Sequence, residues 1–328
     1  YGDLPVKVPR FEDLDHLFKV EEKERSTPAS YRERRSVDPA FLRALVAWAQ
    51  ARVREGRGAS PVLVAFGRPR SQHLVAQERG QPNLIVIFCD DLGYGDLGCY
   101  GSEKNRTPNV DQLAKSGVKF TDFYSSSPVC TPSRSSLMTG CYARRVGMHE
   151  DYTGHWVLIP RSRRGLNPEE LTIAEALKSA GYATACIGKW HLGDQPEHLP
   201  TKHGFDFYFG IPYSNDMQSK RRGDPPLPLV KQAAVIEAPV DQSTLTRRYT
   251  EAAIEFITEN KSKPFFVYLP HTFPHLPLFA SPDLLGKSAN GRYGDSIEEI
   301  DWSTGQILAS LDRLGIADNT LVIFTSDN

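Results

Sequence analysis

Asp90–Asp91, Asp327–Asn328, Lys189 with His191, and His271 with His275 share one feature: each group follows a short apolar run. The runs NLIVIF, LVIFT, ACIG and FFVYL are rich in β-branched or aromatic residues, and each predicts a buried strand. Ligands of an open α/β sheet sit beyond the carboxyl ends of its strands, so chemistry is expected there. Three carboxylates and an amide crowded together repel unless a cation lies between them. An all-oxygen set favours a hard divalent ion, calcium or magnesium, over zinc. Either acidic pair alone is ordinary turn composition after a strand. The two together, on strands that can be neighbours, favour the metal. Lys189, His191, His275 and Arg134 around such an ion suit an anionic substrate with several acceptor oxygens, a sulfate or phosphate ester. For His271, beside Pro270, a surface or packing role competes with a site role, and His275 in HLP is preferred.

The stretch PVCTPSRSSLMTG (128–140) poses a separate problem. Cys130 stands among hydroxyl residues with no C-x-x-C partner, and the chain's five cysteines are too few for a disulfide scaffold. Cys89 and Cys186 fall in apolar runs and read as small core residues; Cys130 does not. Ser133, Ser135 and Ser136 can start a helix, whose N-terminus would favour negative charge beside the cysteine. A thiolate phosphatase loop needs C-x5-R, with arginine at position 136. Ser136 is there instead, and that chemistry is excluded.

The elements that must position these groups are legible as an alternating pattern. TPNVDQLAKSG predicts a helix with Thr107 as cap, Pro108 at the first position and Gly117 as stop. NPEELTIAEALKSAGY predicts another, with Asn167 and Glu170 at capping-box spacing, Pro168 first and Gly181 last. ATACIGKW reads as a strand, Arg247–Asn260 as a helix, PFFVYLP as a strand, Asp295–Leu314 as a long helix and TLVIFTSDN as a strand. This order implies an α/β fold: a mostly parallel or mixed central sheet sandwiched by helices.

Residues 1–80 differ from this pattern and read as a separate N-terminal segment of unassigned role, followed by a catalytic domain over 81–328. The segment has a mixed charge run, KVEEKERSTPASYRERR, one amphipathic helix from Asp38 to Gly56, and a strand candidate, PVLVAFG. The whole chain has 328 residues and a formal net charge of −1, which gives no field for nucleic acid or an anionic membrane. It lacks an apolar run of spanning length. It opens at Tyr1 and stops at Asn328 directly after a strand, and so reads as a fragment.

The CTPSR run with its downstream TG closely resembles the signature of the sulfatase family, of the arylsulfatase A-like branch and the alkaline phosphatase superfamily. Over residues 82–328, DDLGYGDLGCYG, GKWHLG, GIPYSND, HLP and SDN follow in that family's order. The resemblance implies that Cys130 is oxidised by a sulfatase-maturing enzyme to formylglycine, whose hydrated aldehyde is the nucleophile. It also implies that Asp90, Asp91, Asp327 and Asn328 ligate one calcium or magnesium ion together with the modified Cys130. Arg134 would steady the charged gem-diol, and His191 would take the proton that lets sulfate leave. Lys189, His275 and Ser214 would bind sulfate oxygens, with Lys189 and His275 protonating the leaving group. The implied substrate is a small-molecule or glycan sulfate ester, and the implied compartment periplasmic or extracellular. A phosphate or phosphonate ester hydrolase of the same superfamily, or a silent anion- or glycan-binding protein, are the competing readings. The family pattern continues past SDN with a glycine, a further lysine and a smaller C-terminal sheet domain, so the catalytic domain is expected to be incomplete.

Overall fold

The computed structural model describes residues 81–218 and 223–328. The helix from Asp38 to Gly56, the strand PVLVAFG and the proposed boundary near residue 80 lie outside the described residues. Within them the four apolar runs all form strands. β1 is Asn83–Asp90, β2 Ala183–Ile187, β3 Phe207–Gly210, β4 Leu229–Lys231, β5 Ala234–Glu237, β6 Phe265–Pro274 and β7 Thr320–Ser326. They join one sheet in the order β5-β4-β3-β2-β6-β1-β7. β1, β2, β3, β6 and β7 pair in parallel, while β4 and β5 are antiparallel additions at one edge. The sheet is thus mixed, with a parallel centre.

β1 explains why the sheet needs helices on both faces. Its side chains alternate, Ile85, Ile87 and Cys89 entering one apolar layer and Leu84, Val86 and Phe88 the other. Each such side chain contributes roughly 1.5–3 kcal/mol when buried. The first layer is closed by α4 (Leu245–Asn260) and α5 (Gly291–Leu314) through residues such as Leu245, Tyr249, Ile297 and Ile300. The second is closed by α2 (Cys130–Thr139) and α3 (Ile173–Ser179) through Met138, Ala174 and Leu177. α1 (Pro108–Ser116) packs Val110 and Leu113 into the first layer. Cys89 and Cys186 are fully buried core residues, as expected.

Several local expectations are corrected. α3 begins at Ile173 rather than Pro168: Thr172, not Asn167, is the N-cap, and its hydroxyl and Glu175 form the capping box. Asn167 instead closes a turn by accepting from Glu169 N at 3.0 Å. Thr107 is the N-cap of α1 as expected, but no side-chain bond makes the cap: its hydroxyl donates to Asp111 and accepts from Gly98 N. The serines of α2 do not start it either, since Ser135 and Ser136 donate back to the Pro132 carbonyl. α4 and α5 each begin a few residues earlier than expected, and β6 runs on through Pro274, so His271 lies inside the strand.

Candidate active site

Because β1, β2, β3, β6 and β7 are parallel, their carboxyl ends open on one edge of the sheet, and the chemistry-bearing groups meet there. β1 and β7 lie side by side with Cys89 opposite Ser326, which brings Asp90–Asp91 against Asp327–Asn328. Asp91, at φ 61°, turns the chain out of β1; its N–H donates to Asp327 Oδ1 at 3.0 Å. Asn328 donates its side-chain N–H to Asp91 Oδ1 at 2.7 Å. Oxygens of Asp90, Asp91 and Asp327 and the Cys130 sulfur lie within 4.8 Å of one another, and a second grouping joins Asp90, Cys130 and His275.

Cys130 is the first residue of α2, and Arg134 stands one turn further on the same face. Arg134 is fully buried. Its Nη1 donates to the Lys189 carbonyl at 2.8 Å, and its Nη2 to Asp90 at 2.9 Å and Asp327 at 3.4 Å. Lys189 enters from the end of β2. Its ammonium donates to Asp90 Oδ2, to Ser214 Oγ at 3.0 Å and to Cys130 Sγ at 3.6 Å. The thiol itself donates to Asp90 Oδ1 at 3.3 Å. Ser214 reaches the site from the loop after β3.

The two buried carboxylates differ in their electrostatics. Burial opposes ionisation of Asp90, yet Lys189 and Arg134 outweigh it and hold the carboxyl well below its usual range. Asp327 goes the other way: burial first, and the charge of Asp90 second, push it up to about 7. Arg134 and Lys189 thus favour the charged form of Asp90 but not of Asp327, and a divalent ion between these two buried carboxylates would favour ionisation of both. The oxygen donors fit a hard ion; the sulfur of Cys130 is the soft exception. Burial, opposed by Lys189, also raises the thiol well above its ordinary value, so it stays a thiol.

The histidines separate cleanly. His191 is buried. Its Nε2 must carry a proton, because it donates to the Leu158 carbonyl at 2.9 Å, which leaves Nδ1 as the acceptor nitrogen. Burial and then Lys189 hold it neutral, well below the usual imidazole range. His275 stands at the rim, Nε2 3.7 Å from Asp91 Oδ2. His271 is buried against Ser303 on α5, at 3.4 Å, and takes a packing position. Cys130, His191, Ser214, Asp91 and His275 line one cavity of about 540 Å³.

Two features of the site and its surroundings were not legible in the sequence. Thr131 donates to the His191 carbonyl (3.0 Å) and accepts from Leu158 N (3.2 Å), tying α2 to both neighbours. His155 and Trp156 form part of the wall from an irregular loop whose composition carries no periodic signal.

A sheet edge that gathers carboxylates, a Lys/Arg/His shell and a helix-borne cysteine makes a candidate active site on an α/β fold, and comparison with known proteins gives the family. The sulfatase family model matches residues 82–328. Human arylsulfatase A is 41% identical over 288 residues, covering 80% of this chain and 56% of its own length. Mouse steryl-sulfatase is 36% identical over 318 residues, with 75% and 51% covered. The crystal structure of a sulfatase from Pseudoalteromonas sp. superposes with a TM-score of 0.69 at 27% identity, covering 88% of this chain and 59% of that one. The chain belongs to the sulfatase family. It spans about half the length of the curated relatives it matches.

Proposed function

We propose that this site hydrolyses sulfate esters, with Cys130 first converted to formylglycine and one divalent cation, calcium ahead of magnesium, held by Asp90, Asp91, Asp327, Asn328 and the modified residue. The observation that carries this reading is the single soft donor, Cys130 Sγ, in a cluster otherwise made of carboxylate oxygens. An oxygen-bearing side chain at that position completes a hard-ion site. Hydrated formylglycine supplies an oxygen nucleophile, and the cation supplies charge neutralisation for the sulfuryl oxygens. Family membership supports the same assignment.

The chain's own residues divide the remaining work. Arg134 and Lys189, both fully buried against Asp90 and close to Cys130, set positive charge behind the cavity floor, and that charge draws an anionic ester toward Cys130. Ser214, bonded to Lys189, adds a hydroxyl toward the same oxygens. His191, neutral and with Nδ1 free to accept, takes the proton as sulfate departs. Lys189 and His275 deliver a proton toward the alcohol leaving group, His275 from the rim where that group must exit. The conversion of Cys130 requires a maturation enzyme as partner, and the compartment proposed is periplasmic or extracellular. Among the described residues no helix is long and apolar enough to cross a membrane.

The test is direct. Chain produced together with a formylglycine-generating enzyme should give a Cys130 peptide that has lost sulfur and two hydrogens and gained one oxygen, and should turn over an aryl sulfate. Faster cleavage of an aryl phosphate diester would transfer the assignment to phosphate ester hydrolysis. An unmodified thiol without turnover would end it in favour of a silent binding protein.

A further inference from the structure

Trp156 is out of place as a structural residue. It is 75% exposed, yet it lines the same cavity as Cys130, His191, Ser214 and His275. Trp190, by contrast, is wholly buried, and Trp302 is covered by the Arg247 guanidinium at 4.8 Å. An indole left in water forgoes one of the largest burial gains a side chain can make, and this one does so on the wall of the cavity that Cys130 lines.

The loop that carries Trp156 is held in place. Asp151, itself buried, accepts at Oδ1 from Thr153 N (2.5 Å) and at Oδ2 from the Ser162 hydroxyl (3.1 Å). Its backbone N–H donates to the His155 carbonyl at 2.7 Å, closing the turn just before the tryptophan. Just after it, Leu158 is tied by its N–H to Thr131 and by its carbonyl to His191. Trp156 is therefore referenced on both sides, and one of those anchors is the residue next to Cys130. A platform fixed this way costs little entropy when a ligand settles on it.

We infer that Trp156 is a specificity-determining platform on which the ring of the substrate's alcohol portion stacks, so that the site prefers sulfate esters of ring-bearing alcohols to those of open-chain ones. This rests on the reading of Cys130 as the sulfate-ester site and names the class of ester it takes. An aromatic ring or the C–H face of a pyranose presents the flat apolar surface that an indole accepts. The buried charge of Arg134 and Lys189 acts only on the sulfate and cannot make this distinction, because every sulfate ester offers it the same group.

The experiment compares wild type, Trp156→Ala and Trp156→Phe on an aryl sulfate, a pyranose sulfate and a straight-chain alkyl sulfate. It also measures binding of the free phenol and the free sugar to the Cys130→Ala chain with and without Trp156→Ala. Trp156→Ala should raise KM for the ring esters by about three- to ten-fold, with kcat little changed and the alkyl ester unaffected, and Trp156→Phe should recover most of the loss. Whichever ring ester loses more identifies the partner of the platform. Unchanged KM for both ring esters, or an equal rise for the alkyl ester, overturns the platform while leaving sulfate ester hydrolysis intact. Absence of turnover in wild type, with free-ligand binding still weakened by Trp156→Ala, overturns the hydrolysis and leaves the platform. Absence of turnover with no effect of Trp156→Ala on binding overturns both.

Discussion

Arg134 concentrates the physics of the site into one side chain. Its guanidinium is fully buried, lies over the Phe88 ring at 5.3 Å, and spends its two terminal nitrogens on the Lys189 carbonyl and on Asp90 and Asp327. Arg134→Met removes the partner and leaves buried carboxylate charge behind, at an expected cost of about 3–5 kcal/mol, read as a lower urea midpoint. Arg134→Lys keeps the charge but cannot span carbonyl and carboxylates at once, so turnover should fall by about a hundred-fold or more despite a milder loss of stability. If Arg134→Met were as stable as wild type, the guanidinium would not be the counter-ion described. The donor set makes a companion prediction. Calcium added to chelator-treated protein should raise Tm and restore turnover, since an ion bound by the folded donor set stabilises that state. A Tm indifferent to calcium would remove the cation from the site. At this scale the sequence was informative where the cluster is built from adjacent residues, as in Asp90–Asp91, CTPSR and Asp327–Asn328. It was silent on Thr131 and Trp156, whose positions are set only once Leu158 is laid between α2 and His191.

The elements were easier to recognise than their ends. NPEELTIAE contains two successive pairs at capping-box spacing, Asn167 with Glu170 and Thr172 with Glu175, and spacing alone does not rank them. Tertiary structure does: the Thr172 hydroxyl also donates to the His203 carbonyl at 2.9 Å, a contact 31 residues away. β3, β4 and β5 were missed because three or four residues are too few to show a period. The turn that aims Lys189 and His191 depends on Gly188, the residue directly after β2. At φ +135°, a Cβ there would stand 1.9 Å from the Pro270 carbonyl oxygen, while the Gly188 N–H donates to Phe209 and the Lys189 N–H to Pro270. Gly188→Ala must force β6 away from β2 at the point where the site is assembled. An expected loss of about 3 kcal/mol or more, with strongly reduced turnover, follows from strain and backbone contact together. A Gly188→Ala chain with a wild-type urea midpoint would show that the strand ends are not packed as described.

The sheet with helices on both faces was legible from the order of apolar runs, but the cost of its interior was not. His203 has no exposed surface, packs at 5.8 Å from the Trp190 ring, and has no hydrogen-bond partner for either ring nitrogen among the described residues. Burial, and then the charge of His198, lower it from 6.5 to about 4. The folded chain therefore keeps His203 neutral in a range where the unfolded chain binds a proton. The stability it contributes is complete above about pH 6.5 and drains as pH falls toward 4, by about 2 kcal/mol between pH 7.5 and 5 for this one group. Asp327, raised to about 7, acts in the opposite direction over part of that window, so the slope of the wild type alone does not isolate the histidine. His203→Phe does, because it keeps an aromatic ring against Trp190, removes the titration and leaves Asp327, on a different element, unchanged. Urea unfolding of both chains at the two pH values should show the variant gaining about 2 kcal/mol on wild type at the lower pH. Parallel stability curves would mean that the imidazole takes up its proton without unfolding, and that the core around Trp190 admits water.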